Sequence, residues 1–304
     1  MRILIISGGN ASERKISLIS AGEVKLALEK NGHFVRIFDF REGYPALKKM
    51  LPKFDVMFPV LHGEEGEGGS LQKFLAQQGK PYVGGHYKGF RQGWHKIPFK
   101  KFCQKQKIPT APWKVVQHPD HILQFGFPSV LKASSGGSSK EVVILKSEKD
   151  LKNKLCQSLF KSNIPLFIEK HLTGTEVTVG VLGDRALPVM EIIPPVGEWF
   201  DFQRKYSGET EEIPHAPSLT NSMRRKTQEL ALKIHQKLNL GPYSRIDFIV
   251  SDSVSHSGSG ILKPYVLEVN TIPGLTPQSL FPKAALTAGI SFEQFIEKLI
   301  IMSM

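Results

Sequence analysis

Short apolar runs and longer amphipathic stretches take turns along the first third of the chain, which is the pattern of strands alternating with helices around a parallel sheet. Arg2–Ser7 predicts a strand, Ser12 a cap for a helix running to about Asn31, and Phe34–Phe38 and Val56–Leu61 two more strands. Ser70–Gln78 carries Leu71, Phe74 and Leu75 on one face and predicts a helix, after which Pro81–Gly85 closes the unit. In an open α/β sheet, ligands gather beyond the carboxyl ends of the strands, here the turns Gly8-Gly9 and His62-Gly63.

The pattern changes near Gly84–Lys96. A helix over Ile97–Gln106 leads into strands expected at Trp113–Val116, Ser129–Lys132, Glu141–Leu145 and Leu166–Lys170, with a helix at about Glu148–Lys161 between the last two. Strands at Val177–Leu182 and Leu187–Ile193 follow. Pro194–Leu219 has little periodicity and much Pro, Gly and charge, and a stretch of that length without structure inside a compact chain is functional or disordered. Helix Ser222–Leu238, strands Tyr243–Val250 and Val266–Asn270, a Ser/Gly-rich turn at Ser251–Gly260 between them and a helix near Ser291–Ile301 complete the chain.

Composition narrows the function classes. With 304 residues, 40% hydrophobic and 22% charged, the chain has room for a substantial core and two or three domains. Two cysteines, Cys103 and Cys156, form no disulfide framework or metal-ligand spacing, which suits a reducing compartment. The first apolar run is too short for a signal peptide and no stretch is long enough to span a bilayer, so no membrane insertion and a cytoplasmic location are expected. The net charge of +12 comes from lysines dispersed over the expected helices, among them Lys25, Lys30, Lys48, Lys49, Lys100, Lys101, Lys226, Lys233 and Lys237. Without a dense run or interleaved aromatics, they read as a solvated basic surface rather than a nucleic-acid-binding face.

Chemistry concentrates at the strand ends. In Val266–Asn270 the alternation of a strand puts Glu268 and Asn270 on one face, and in Tyr243–Val250 it does the same for Arg245 and Asp247. Asp247, Glu268 and Asn270 are oxygen donors of the kind that bind Mg²⁺ in company with waters and phosphates. Lys132 ends a strand and is followed by the small residues Ala133 to Ser139, whose backbone N–H groups can approach a phosphate. The lysine precedes that loop, so it is no Walker P-loop. Glu169, Lys170 and Glu176 lie at and after another strand end, where backbone groups can read an adenine edge and a carboxylate can hold a ribose. Glu13 at a helix start can hold an ammonium group, His62 lies at a ligand-binding strand end, Gly274 can offer its N–H to an oxyanion, and Ser279 with the Leu280 N–H can seat a carboxylate.

In this order the segments Gly8-Gly9…Ser12-Glu13-Arg14, Leu61-His62-Gly63…Gly66-Glu67, Gly137-Ser138-Ser139, Ile168-Glu169-Lys170, Lys205-Tyr206, Arg245-Ile246-Asp247 and Glu268-Val269-Asn270-Thr271…Pro273-Gly274 resemble the D-alanine–D-alanine ligases of the ATP-grasp superfamily. The resemblance runs from Met1 to about Ile300. It implies an α/β fold, with an N-terminal open parallel domain at 1–94 and a two-part α+β ATP-grasp unit divided at 95–178 and 179–304. It also implies a lid at 198–217 that closes over the nucleotide. The activity it implies is ATP-driven joining of two D-alanines through an acyl phosphate, with ATP and two Mg²⁺ ions (Mn²⁺ as a substitute) as cofactors and a homodimer as the assembly. By resemblance, Asp247, Glu268 and Asn270 would hold metal. Lys96 and Lys132 would meet phosphates, Glu169 and Glu176 the adenosine, and Lys170, Leu172 and Lys205 would also bind ATP. Glu13, Ser138 and Tyr206 would be linked at the first D-alanine with His62 nearby, Arg245 and Gly274 would stabilise the tetrahedral centre, and Ser279 and Leu280 would seat the second carboxylate.

Four positions depart from the family pattern: Gly68 and His95 stand where aspartates are usual, Ala133 where proline is usual and Lys73 where glycine is usual. They cluster at the junction of the first and central domains and bear on amino-acid specificity and on Lys96. Another ATP-grasp carboxylate–amine ligase, with a different amino-acid or hydroxy-acid specificity, therefore stays open as a second reading; Tyr206 argues for a dipeptide product.

Overall fold

The computed structural model describes residues 1–137, 141–195, 210–252 and 262–304. Three sheets follow one another along the chain. The first is parallel, in the order β2-β1-β3, with β1 at Arg2–Ser7, β2 at Phe34–Asp39 and β3 at Val56–Pro59. Ile3 and Ile5 of β1 point to one core, Leu4 and Ile6 to another, so the central strand is apolar on both faces as a covered parallel strand must be. Helices α1 (Arg14–Lys30), α2 (Gly43–Met50), α3 (Glu64–Glu67), α4 (Ser70–Gln77) and α5 (Tyr87–Trp94) belong to this stretch.

Helix α6 (Lys96–Lys105) leads into an antiparallel sheet in the order β4-β7-β5-β6, made of β4 (Trp113–Val116), β5 (Ser129–Ala133), β6 (Val142–Leu145) and β7 (Leu166–Lys170), with helices α7 (Asp120–Phe125) and α8 (Lys154–Lys161). The last sheet, also antiparallel, contains β8 (Thr175–Leu182), β9 (Arg185–Ala186), β10 (Met190–Ile193), β11 (Glu211–Pro214), β12 (Tyr243–Ser251) and β13 (Lys263–Asn270), in the order β11-β10-β8-β12-β13 with β9 beside β8. Helices α9 (Asn221–Leu238), α10 (Leu280–Thr287) and α11 (Phe292–Ile301) complete it. The end of the chain returns to its beginning: Phe281, Phe295 and Leu299 share one core with Ile3, Val24 and Leu28, and Lys30 and His33 pair with Glu293 and Glu297 at 3.0 and 2.8 Å.

Several local expectations are corrected. Ser12 does not cap α1; Glu13 occupies the cap position, and the Ser12 hydroxyl donates to its carboxylate at 2.7 Å. The helix expected over 148–161 is broken at Asn153, whose side chain accepts from Leu155 N–H and starts α8 anew after a short 3₁₀ turn at Glu148–Lys152. The strand expected from Leu187 begins only at Met190, since Pro188 offers no ladder N–H. Inside the expected loop Pro194–Leu219, Glu211–Pro214 forms β11 against β10. Residues 196–209, which include the first part of the expected lid, and most of the expected turn at Ser251–Gly260 lie outside the described residues, while the rest of the expected lid holds β11.

Candidate active site

One cleft lies between the two antiparallel sheets. On its floor β12 and β13 pair with Arg245 opposite Asn270 and Asp247 opposite Glu268, so the alternation expected of each strand puts all four side chains on one face. A bulge follows, because Phe248 pairs with Val266 and leaves Leu267 as the extra residue. The bulge turns Leu267 into the cleft wall beside Glu268. Asp247 is the hub of the floor. Its Oδ1 accepts from Arg245 Nε at 3.0 Å and from the Thr178 hydroxyl, and its Oδ2 accepts from Arg245 Nη2 at 3.1 Å and Asn270 Nδ2 at 2.8 Å. Glu268 Oε2 lies 3.5 Å from Lys96 Nζ, which also donates to Gly136 O at 2.9 Å. Among the described residues no three of His, Cys, Asp and Glu stand together as a metal cluster. Two carboxylates and an amide would therefore need phosphate and water oxygens to complete a Mg²⁺ shell, which is how that ion is usually held.

The opposite wall comes from β5 and β7. Lys132 Nζ lies 2.6 Å from Glu169 Oε1, and Lys100 on α6 pairs with the other oxygen, Oε2. Burial pushes the Glu169 carboxyl up, but the two ammonium groups outweigh it and hold it down at about 2. Helix α6 is fixed to this wall at its first turn, where Lys96 N donates to Ser134 O at 2.6 Å and Ile97 N to Ser134 Oγ at 3.3 Å. Lys170, Leu172 and Glu176 line the same cleft, with Val130, Ile144 and Ile249 giving it an apolar stretch.

At the far end stands the loop after β1. Gly8 and Gly9 both have left-handed φ, 80° and 68°, and the turn is clamped by Arg14, which donates to Gly9 O at 3.1 Å and to both Asp39 carboxylate oxygens at 2.9 and 2.6 Å. Glu13 is thereby delivered to the cleft: a Cβ on Gly137 would stand 2.9 Å from Glu13 Oε1. His62 and Glu67 lie behind it, Nδ1 to Oε2 at 3.9 Å. Burial lowers the His62 imidazole to about 4, with Glu13 opposing and Arg245 adding to the shift. Burial raises the Glu67 carboxyl to about 8 against the pull of a Gly63 N–H at 2.9 Å. Burial thus favours the uncharged form of both. Gly66 permits this tight hairpin of chain, since a Cβ there would lie 1.7 Å from Leu61 O. Gly274, Thr276 and Ser279 form a further cluster before α10, with Ser279 Oγ 2.9 Å from Thr276 Oγ1 and Leu280 opening the helix. The loop after β13 reaches the Glu67 segment through Thr271 Oγ1 and Glu67 O at 3.5 Å.

The structure thus gathers Lys96, Lys132, Glu169, Lys170, Leu172, Glu176, Asp247 and Glu268 around one pocket, with Arg245 and Asn270 bonded to Asp247. Glu13 and His62 stand at its amino-terminal end, and Gly274, Ser279 and Leu280 form their own group. Ser138, Lys205 and Tyr206 lie outside the described residues. Sequence reasoning missed two members. Glu67 carries no role of its own in the sequence motif. The sequence pattern puts Lys100 on the solvated surface, and the structure corrects this: it is 1% exposed. The helical period gave a signal, since Lys100 falls three positions from both Ile97 and Cys103 on the apolar side of α6.

Comparison with known proteins agrees with this geometry. Residues 92–301 match the family described as D-ala D-ala ligase C-terminus. The D-alanine–D-alanine ligase of Oleidesulfovibrio alaskensis is 38% identical over 99% of this chain and 96% of its own length, and that of Clostridium botulinum 35% identical over 100% and 99%. The Bacillus anthracis D-alanine–D-alanine ligase, solved in complex with ATP, superposes with a TM-score of 0.83 at 29% identity, covering 100% of this chain and 97% of that one. The D-alanyl-alanine synthetase A of Vibrio cholerae gives 0.85 at 25% identity, covering 100% and 98%. Two antiparallel sheets closing on a cleft, behind a parallel N-terminal sheet, are the ATP-grasp architecture of these structures, and the chain belongs to the D-alanine–D-alanine ligase family.

Proposed function

We infer that this protein is an ATP-dependent ligase that joins two D-alanines, releasing ADP and phosphate and supplying a dipeptide for peptidoglycan precursors. The observation that carries the reading is the cross-strand quartet Arg245, Asp247, Glu268 and Asn270 facing Lys96 and Lys132 across one cleft, in a chain related over its full length to D-alanine–D-alanine ligases. A carboxylate is a poor electrophile, and phosphorylation makes it an acyl phosphate that an amine can attack. Both steps concentrate negative charge that fixed cations must meet.

In this reading Glu13 holds the ammonium of the first D-alanine, and the neutral His62 packs beside it. Lys96 and Lys132 meet the phosphates. Asp247 aims the Arg245 guanidinium at the tetrahedral oxyanion, which the Gly274 N–H shares, and Ser279 with the Leu280 N–H seats the second carboxylate. Glu169 is 2% exposed and turned onto its lysines, so Glu176 is the carboxylate that faces the ribose, with Lys170 and Leu172 at the base. Asp247, Glu268 and Asn270 fit Mg²⁺ by their oxygen donors. Bound there, the ion would offset phosphate charge during transfer. Ser138, Lys205 and Tyr206 keep the roles the resemblance gives them. The divisions expected near 94 and 178 follow the same reading, with the second moved to give the C-terminal unit all of β8, which pairs with β10 and β12. No helix among the described residues is long and apolar enough to cross a membrane, which fits a cytoplasmic enzyme, and the family's dimers make a homodimer the assembly to look for.

Phosphate release from ATP tests the reading. D-alanine should raise it well above the background rate and a dipeptide should accumulate. Indifference to D-alanine, with stimulation by another amine and acid, would instead favour a ligase of different specificity.

A further inference from the structure

Lys100 is a charged residue that the packing of α6 treats as a core residue. Its neighbours along the helix are Phe99, Phe102 and Cys103, all buried. An ammonium in such surroundings is costly unless its charge and its three donors are met. Its charge and two of the donors are met by a continuous chain of polar contacts. Lys100 Nζ pairs with Glu169 Oε2 on β7 and donates to the Thr110 hydroxyl. Thr110 Oγ1 in turn donates to Val266 O on β13 at 3.0 Å, one residue before the bulge that precedes Glu268. On the other side Glu169 Oε1 holds Lys132 Nζ at 2.6 Å on β5. The chain therefore runs from the strand that carries Glu268 to the lysine on the opposite wall of the cleft.

Stability does not explain this arrangement, because a buried ion triad is commonly matched or bettered by apolar side chains of the same volume. The charge balance does. Glu169 with Lys132 alone would be a neutral pair, and Lys132 would be spent on its own wall. With Lys100 taking the other carboxylate oxygen, the triad carries one surplus positive charge. The member of the triad that lines the cleft as a cation is Lys132, since Lys100 is 1% exposed and Lys132 is 15% exposed.

We propose that Lys100 is a positioning residue for the nucleotide: it neutralises Glu169 from behind, so that Glu169 can hold Lys132 in place while Lys132 keeps its positive charge for the triphosphate. This rests on the ligase reading of the cleft. Lys100 itself touches neither nucleotide nor amino acid.

The test is Lys100→Met, which keeps most of the length of the side chain and removes its charge. Binding of a non-hydrolysable ATP analogue with Mg²⁺ is measured by calorimetry, and KM for D-alanine by phosphate release. The variant should bind the analogue about tenfold more weakly or worse, about 1.4 kcal/mol, with KM for D-alanine unchanged. Unaltered analogue affinity in the folded variant overturns the proposal, and so does an equal loss for both ligands, which general loosening would produce. If Lys100→Met does not fold, the double variant Lys100→Met/Glu169→Gln decides, since it leaves no buried carboxylate short of a cation. It should bind the analogue as weakly as Glu169→Gln alone, and wild-type affinity in it overturns the proposal. A wild-type protein that takes up no ATP would sink the ligase reading itself, a different result from a wild type that binds and a variant that binds equally well.

Discussion

The two ends of the cleft bury titratable groups to the same depth and treat them in opposite ways. At the nucleotide end Glu169 is 2% exposed and stays ionised, because Lys100 and Lys132 flank it. At the amino-terminal end Glu67 is 8% exposed, its hydrogen bond from Gly63 N is too little to offset burial, and its carboxyl rises to about 8 while His62 falls to about 4. Burial by itself neutralises a group, and only a partner of opposite charge preserves the ion. The consequence is functional. The end that must meet a triphosphate keeps its charges fixed in place before the ligand arrives. The end proposed to hold a small zwitterion sets Glu13 near His62 and Glu67, two groups that burial pushes towards their uncharged forms.

The largest effect is expected at the nucleotide end. Glu268→Gln leaves the strand and its neighbours in place but removes a charge from the floor, and turnover should fall by about 10³-fold or more while the protein still folds. Phosphate release at saturating Mg²⁺ is the measurement, and retained activity there would contradict the metal assignment. Next comes Glu13→Gln. It should cost roughly 10²-fold in kcat/KM for D-alanine with binding of the ATP analogue intact. A loss shared by the nucleotide would blur the distinction between the ends.

Much of this arrangement was legible in the sequence, for reasons that differ by element. The cross-strand quartet follows from the alternation of Arg245, Asp247, Glu268 and Asn270 along two apolar strands, and β13 pairs with β12 in a register that keeps it. Lys100 was not legible from composition, because a lysine on a helix is nearly always at the surface. The helical period of α6 does distinguish it from Lys101, which is exposed. The state of Glu67 could not be read at all. It depends on burial and on Gly63, Glu13, Lys96 and Glu268 coming near, and that is a property of tertiary packing. The strand β11 is hidden inside a polar segment because none of its four residues is buried and its partner β10 lies well upstream in the chain.

The uncharged end makes its own prediction in stability. The Glu67 carboxyl titrates near its ordinary value in the unfolded chain and near 8 when folded, so between those values the folded state binds more protons. Stability from this group is full below about 4.5 and is lost as pH rises to about 8. Glu67→Gln removes the titration while its amide oxygen can still accept from Gly63. The stability difference between variant and wild type should therefore shift in favour of the variant as pH rises, by at most about 1.4 kcal/mol per pH unit, and level off above 8. Denaturant melts at pH 5, 6.5 and 8 measure it. A difference that does not change with pH would mean that Glu67 is ionised when buried, and the contrast between the ends would fail.

A smaller effect is expected at the junction between them, where two departures from the family pattern turn out to share one residue. Trp94 Nε1 donates to Glu64 Oε2 at 2.6 Å, and His95 Nε2 lies 3.4 Å from Glu64 Oε1. Glu64 can fold over this way because position 68 has no side chain: a Cβ on Gly68 would lie 2.4 Å from Glu64 O and 2.5 Å from Glu64 Oε1. Gly68 and His95 thus meet at one residue, Glu64. Gly68→Asp, which restores the usual residue alone, should lower stability by about 1–3 kcal/mol through the backbone clash and displace Glu64. Trp94→Phe, which deletes an exposed hydrogen bond and trims the ring beside Gly137, should cost about 1 kcal/mol or less. Thermal midpoints rank the two. The aspartate variant should be clearly the worse, and combining it with Trp94→Phe should add little, because Glu64 has already left Trp94. Additive losses would show that the two positions act separately, and that the junction is built from independent contacts rather than around Glu64.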